Sequence, residues 1–209
     1  MADTPNPHGL NEAFGNKATP LPLFDRWLAQ ATESEPNDPT AFALATVDAA
    51  GQPNVRMLLL KGMSEDGLVF YTNMNSRKAD ELRANPKASM CFHWKSLRRQ
   101  VRVSGCVKPV SDAEADAYFA SRDHASQVGA WASLQSSSME RRIEFDQRVT
   151  EYCAKYPEGS AVPRPPHWTG WSLQPSEIEF WLNADARLHE RLVYTAQVDG
   201  SWRQTLLYP

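Results

Sequence analysis

The order of elements is set by residues 41–73, AFALATVDAAGQPNVRMLLLKGMSEDGLVFYTN. Ala41–Val47 reads as a strand, and Ala49-Ala-Gly-Gln-Pro is turn chemistry. Val55–Lys61 is a second strand, Asp66-Gly67 a second turn, and Leu68–Asn73 a third strand. Short strands joined by turns of hairpin length predict antiparallel pairing. Towards the C-terminus, Asn75 or Ser76 caps a helix over Arg77–Ala84 that Pro86 stops. Ala88–Trp94 and Arg99–Val110 are further strands, with Val101 and Val103 alternating with Arg102. Ser111-x-x-Glu114 is a capping box that opens a helix to about Ser121. Ser126–Ala132 is a short helix, and Ser137-x-x-Glu140 opens another to about Tyr156. Gly170–Leu182, Leu188–Ala196 and Ser201–Leu207 complete the strands, with Asp199-Gly200 as the last turn. Towards the N-terminus, Leu21–Thr32 has helical apolar spacing, and residues 1–20 have the Pro, Gly and Asn content of a flexible arm. The sequence never alternates βαβ. It predicts a mainly β fold with helical insertions, an antiparallel barrel or sandwich over residues 21–209, and not a Rossmann fold.

A chain of 209 residues with 42% hydrophobic and 22% charged residues can bury a core of its own. Its net charge of −3 argues against a general nucleic-acid binder, so any anion site must be local. Cys91, Cys106 and Cys153 form no CxxC or metal-ligand spacing and read as reduced thiols. The N-terminus has no apolar signal-peptide core, and no run approaches the ~18 apolar residues of a membrane span. These features predict a cytoplasmic protein without a membrane partner or a metal. GxGxxG, GxxxxGK[ST] and GxSxG are all absent, which removes the usual fingerprints for NAD, ATP and α/β-hydrolase chemistry.

The positive signal is cationic and hydroxyl residues at strand ends and helix starts. Arg56 and Lys61 bracket one strand, on opposite sides by strict alternation. Ser76-Arg77-Lys78 sits where a helix begins, and free N–H groups and the helix dipole favour an anion there. Tyr118, Arg122 and Ser126 are spaced four apart and share one face if the helix continues, which suits a second phosphate. Arg187, His189 and Arg191 alternate on an expected strand opposite Leu188 and Glu190, just after the aromatic pair Phe180-Trp181. Gln100 and Gln135-Ser136 add neutral polar groups. Taken singly, Ser76-Arg77-Lys78 reads better as solvated surface charge, Tyr118/Arg122/Ser126 reads either way, and Phe180-Trp181 tilts Arg187/His189/Arg191 towards a site.

Together these segments resemble the pyridoxine (pyridoxamine) 5′-phosphate oxidase family. The resemblance runs from about Leu21 to the C-terminus. It rests on RMLLLK (56–61), VFYTN (69–73), SRK (76–78), RQV (99–101), YFxSR (118–122), SQxGAW (126–131), QS (135–136), IEFW (178–181) and RLHxR (187–191). It implies an FMN-binding split β-barrel that works as a homodimer, with FMN at the subunit interface. FMN would be held by Arg56, Met57, Leu58, Leu59, Leu60, Lys61, Tyr71, Thr72, Arg77, Lys78, Gln100, Gln135, Ser136, Trp181 and Arg191. The substrate phosphate would meet Lys61, Tyr118, Arg122 and Ser126. The segment Arg187-Leu188-His189 would hold the pyridine ring, with Arg187 and His189 as catalytic residues. The implied reaction oxidises pyridoxine or pyridoxamine 5′-phosphate to pyridoxal 5′-phosphate, with O2 as acceptor and H2O2 as product. Two departures stand out. The N-terminal arm HGLNEAFGNK has no Tyr or Arg, and Leu206 stands where the family's ending usually has Arg. The alternatives are another split-barrel flavoprotein, such as a flavin reductase-like protein, and a non-enzymatic pyridoxal phosphate carrier.

Overall fold

A computed structural model describes residues 10–15, 17–64 and 66–209. Its elements in chain order are α1 (Leu21–Ser34), β1 (Ala41–Val47), β2 (Pro53–Leu59), β3 (Gly62–Ser64), β4 (Gly67–Asn73), α2 (Arg77–Ala84), β5 (Lys87–Trp94) and β6 (Arg99–Pro109). Then follow α3 (Asp112–Ala120), α4 (His124–Ala132), α5 (Arg142–Lys155), β7 (Trp168–Leu182), β8 (Glu190–Ala196) and β9 (Trp202–Leu207).

The strands form one antiparallel sheet in the order β2-β1-β5-β6-β7-β4-β3, with β8 added to β7 and β9 to β8. The 15-residue β7 is the pivot. Residues 171–182 pair with β6 on one side. On its other side, residues 168–173 pair with β4 and residues 177–182 with β8. The sheet divides between these halves, and the β6 register shifts at Ser104/Gly105 opposite the division. Gly105 is required there, because a Cβ would lie 1.9 Å from the Gln174 carbonyl oxygen.

The two ends of the strand path, β2 and β3, are consecutive in the chain. Leu60 N–H donates to Thr40 O and Lys61 N–H donates to Val69 O, both at 2.9 Å. The path therefore bends towards a barrel without closing. Strand alternation fills the interior with Phe42 and Leu44 of β1, Met90, Phe92 and Trp94 of β5, and Ile178 and Phe180 of β7. Helix α1 plugs one end with Leu23, Phe24, Trp27 and Ala31, at helical spacing. Trp27 meets Phe180 edge-on at 5.3 Å, and Phe24 meets Phe92 at 5.1 Å.

Of residues 1–20, where a flexible arm is expected, 1–9 and 16 lie outside the described residues. In the remainder Phe14 is buried against Trp27, and the Lys17 carbonyl accepts from the Tyr194 hydroxyl.

The fold departs from expectation at two places besides ordinary end shifts. The three-residue β3 is too short to leave a pattern. The Ser137/Glu140 box does not start a helix; α5 begins at Arg142, where Glu144 accepts from the Arg141 N–H. Residues 133–139 instead form a loop that reaches back to α2. The helix expected to about Ser121 ends at Ala120, in line with that reading, and a turn at 121–123 separates it from α4, so it does not continue to Ser126. Asp123 caps α4 by accepting from Ser126 N–H.

Candidate active site

Helix α2 carries the first cluster. Lys78 is only 7% exposed, and its ammonium reaches Thr72 Oγ1 (3.1 Å), Ser76 Oγ (3.1 Å) and Gln135 Oε1 (2.8 Å). All three partners are neutral. Burial, and then the nearby Arg56, push its pKa down to about 8. A buried cation without a carboxylate in contact is poised for an anion. Ser136 Oγ accepts from the Arg77 N–H at 3.3 Å, at the start of α2.

The two arginines beside Lys78 are held by Glu81. This buried carboxylate accepts from Arg56 (2.9 Å), Arg77 (2.9 Å), Asn54 (2.8 Å) and Thr46. Burial alone would raise its pKa; the hydrogen bonds from Thr46 and Arg56 outweigh burial and hold it below the usual carboxylate range. The Arg77–Glu81 spacing of i, i+4 is a legible sequence signal for this contact, and reading the arginines as free cations overlooks it.

Two contiguous cavities, of about 340 and 310 Å³, share Leu58, Tyr71, Arg122 and Trp168 as walls. Thr72, Ser126 and Gln135 line the first; Met57, Leu59, Lys61 and Tyr118 line the second. Tyr118 lies in the last turn of α3, Arg122 in the turn that follows, and Ser126 in the first turn of α4. They do not share one helix face as the spacing suggests, because the helix breaks between them; the turn brings them to the same cavities. The Arg122 guanidinium lies 5.0 Å over the Trp168 ring, and its buried Nη1 has no hydrogen-bond partner. Lys61 joins them because β2 ends at Leu59, so strict alternation no longer governs where Lys61 points. Leu60 turns into the core. Tyr71 stacks on Tyr118 at 4.0 Å, and burial followed by Glu114 pushes its pKa to about 12, so it stays a neutral phenol.

The remaining expected residues gather elsewhere. His93, Gln100, Trp181 and Arg191 are cross-strand neighbours on β5, β6, β7 and β8, and so share one sheet face. On the same face Glu179 ties Arg191 Nε (2.9 Å) to Arg102, and the Tyr208 carbonyl takes Arg191 Nη1 at 3.0 Å. Arg187, Leu188 and His189 precede β8, which starts at Glu190, so the expected strand alternation with Arg191 fails. Ala186 and Arg187 have φ of 54° and 62°, a left-handed turn that presents the exposed Arg187 and Leu188. Strained non-glycine backbone of this kind costs on the order of 1–3 kcal/mol per residue and clusters at functional sites. His189 packs on Trp181 with centroids 4.6 Å apart, and its Nδ1 accepts from Ala184 N–H.

One chain does not bring the two groups together. Neither cavity is lined by Gln100, Trp181, Arg187, His189 or Arg191. Trp168 and Trp181 lie near opposite ends of β7, a contour on the order of 40 Å at ~3.3 Å per residue. Glu81, Glu179, Arg102 and Trp168 are site residues that sequence reading missed.

An open antiparallel barrel with cationic clusters at its strand ends defines a split-barrel protein with sites for anionic ligands. A solved structure from Nostoc punctiforme, described as a pyridoxamine 5′-phosphate oxidase-related, FMN binding protein, shares the fold at a TM-score of 0.74. It is 19% identical, covering 93% of this chain and 100% of that one. PhzG from Burkholderia lata, solved with tetrahydrophenazine-1-carboxylic acid, matches at a TM-score of 0.88 and 32% identity, over 96% of this chain and 97% of that one. Residues 28–181 match the family model for pyridoxamine 5′-phosphate oxidase, and residues 168–209 that for the pyridoxine 5′-phosphate oxidase C-terminal dimerisation region. A pyridoxine/pyridoxamine 5′-phosphate oxidase of Pelagibacter ubique is 52% identical, over 98% of each chain, and one of Brucella canis is 54% identical, over 95% of this chain and 98% of its own. The chain belongs to the pyridoxamine 5′-phosphate oxidase family, and its cofactor is FMN.

The residues present fit that cofactor, since Lys78 offers a buried positive charge with only neutral partners. This has a pH consequence. Lys78 in the free site loses its proton above about pH 8. FMN binding that needs the charge should therefore weaken with rising pH, with Kd about 15-fold higher at pH 9.5 than at pH 8 by proton linkage. Flavin fluorescence titrations of the apoprotein read this directly. Stability of the apoprotein moves the other way, rising between pH 8 and the unfolded lysine value of 10.5, because there the unfolded chain binds the extra proton.

Proposed function

We propose that this chain oxidises pyridoxine 5′-phosphate and pyridoxamine 5′-phosphate to pyridoxal 5′-phosphate, with O2 as acceptor and H2O2 as product. The observation that carries this reading is the presence of two separate cationic groups at one cavity system, Lys78 directly behind the wall residues Thr72 and Gln135, and Arg122 in the wall itself. A phosphorylated cofactor and a phosphorylated substrate need two. A flavin reductase-like protein needs only the first, and a pyridoxal phosphate carrier has no use for a second.

Bound FMN supplies the hydride acceptor and the route for electrons to O2. The chain's own residues bind and orient. Lys78, Thr72, Gln135, Ser136, Arg56 and Arg77 hold the cofactor phosphate, with Tyr71 and the Met57–Lys61 segment alongside. Lys61, Tyr118, Arg122 and Ser126 anchor the substrate phosphate, turning remote affinity into placement of the reacting carbon. Gln100, Trp181 and Arg191 would hold the flavin end of the cofactor. Arg187, flanked by Leu188 and His189, covers the pyridine ring and stabilises negative charge on its 3-oxygen. In a homodimer, each site takes the Lys78–Arg122 wall from one chain and the Trp181–Arg191 corner from the other. A cytoplasmic location suits the three cysteines, all of which are free thiols. No described helix is long and apolar enough to cross a membrane.

The test is oxygen uptake by the yellow protein. Uptake with either vitamer phosphate, and none with the unphosphorylated vitamers or with a tetrahydrophenazine carboxylate, is the expected result. Uptake only with the last would move the chain to the chemistry of the PhzG ligand.

A further inference from the structure

Gly129 stands apart as the one described glycine that lies inside a helix. Gly15, Gly51, Gly67, Gly159 and Gly200 take positive φ, where other residues are strained. At Gly170 a Cβ would meet the Tyr71 ring at 2.7 Å. Gly129 lies inside helix α4, its φ is not positive, and a Cβ there would meet nothing within 4 Å. Glycine inside a helix is less stable than alanine because it loses more backbone freedom on folding. No contact within this chain offsets that loss.

The explanation lies in the space outside the helix. Gly129 lines the 340 Å³ cavity, one turn after Ser126 on the same face of α4. Facing that cavity are the Tyr71 and Trp168 rings and Arg122, whose Nη1 is unpaired. A side chain at 129 would enter the room next to the unpaired guanidinium edge of Arg122.

We propose that Gly129 is a specificity-determining position, whose missing side chain reserves the room taken by the body of the phosphorylated substrate beside Ser126. The inference rests on the functional reading above and adds a steric limit to it. The ligand class is an aromatic phosphate monoester whose ring passes against the backbone of α4. A helix residue of ordinary size there would shut it out while suiting the fold better.

The test uses Gly129→Ala and Gly129→Leu in the full-length protein, both changes to good helix formers. Four quantities are read: the Tm of the apoprotein, the Kd for FMN by fluorescence titration, KM for pyridoxine 5′-phosphate, and the elution volume. The alanine variant should raise the apoprotein Tm by about 2–4 °C. Its FMN Kd should stay within about twofold of wild type while KM rises about tenfold, the usual scale of an overpacked methyl group. The leucine variant should fail to saturate with substrate and still elute as a dimer. A lower Tm for the alanine variant would make Gly129 a requirement of the fold and overturn the proposal. So would an unchanged KM in both variants, a weakened FMN Kd with KM intact (the room is then the cofactor's), or a monomeric leucine variant (the room is then the second subunit's). A wild-type protein that oxidises neither vitamer would overturn the functional reading instead.

Discussion

Replacing Arg122 by methionine is expected to raise KM for the phosphorylated substrate by about 100-fold. Hydrogen bonds to a charged partner contribute up to about 3 kcal/mol, and each 1.4 kcal/mol is tenfold in affinity. Arg122 has the geometry for the upper end of that range. Its guanidinium plane is fixed over Trp168 and Phe119, so little rotamer freedom remains to be lost on binding. Its free Nη1 is already stripped of water. Burial also pushes the guanidinium pKa down, a sign that the charge is uncompensated in the free site. Methionine can keep the contact with the aromatic rings. The apoprotein should therefore lose no thermal stability, and it gains some if the unpaired cation costs more than the lost packing. Steady-state kinetics across substrate concentration, with a melting curve of the apoprotein, separate these effects. A KM within a few-fold of wild type would remove Arg122 from the phosphate site.

The second large effect falls on the cofactor. Lys78→Met should weaken FMN binding at pH 7 by about 100-fold, for the same reason that a charge-assisted contact in a buried site is lost. The variant should purify nearly colourless, while its apoprotein is at least as stable as wild type near neutral pH. Wild-type apoprotein carries the cost of a buried ammonium below about pH 8, and methionine does not. The variant should also lose the weakening of FMN affinity between pH 8 and 9.5. Retention of yellow flavin through gel filtration would show that Arg56 and Arg77 suffice for the phosphate. That outcome is not expected, because Glu81 already engages both arginines.

Much of this was legible in the sequence where local chemistry decides local structure. The alternation in β1, the turns around β4, the Ser111 cap and the span of α2 all come from short-range rules that the tertiary structure does not override. The failures have a common cause. The turn after α3, the loop at 133–139 and the delayed start of β8 are each shaped by what they must reach. Arg122 has to leave its helix to meet Trp168, some 46 positions on in the sequence, and Ser136 has to take a φ of 73° to reach the start of α2. Long-range contacts of that kind leave no periodicity. The cations themselves could be picked out from residue type. Their carboxylate holders could not, apart from Glu81 at i+4 from Arg77, since Glu179 meets Arg102 and Arg191 only across three strands.

The proposed division of the site between Arg122 of one chain and Arg187 of the other sets the most direct test of the whole account. Homodimers of Arg122→Met and of Arg187→Ala should each be nearly inactive at low substrate concentration. Co-expression with two different tags allows the mixed dimer to be purified. One of its two sites then carries both substitutions, and the other neither. If each site draws its Arg122 wall from one chain and its Arg187 corner from the other, the mixed dimer should regain about half of wild-type activity, one intact site in two by the symmetry of a twofold assembly. A mixed dimer as inactive as its parents would mean that each chain builds a whole site alone, and would contradict the account.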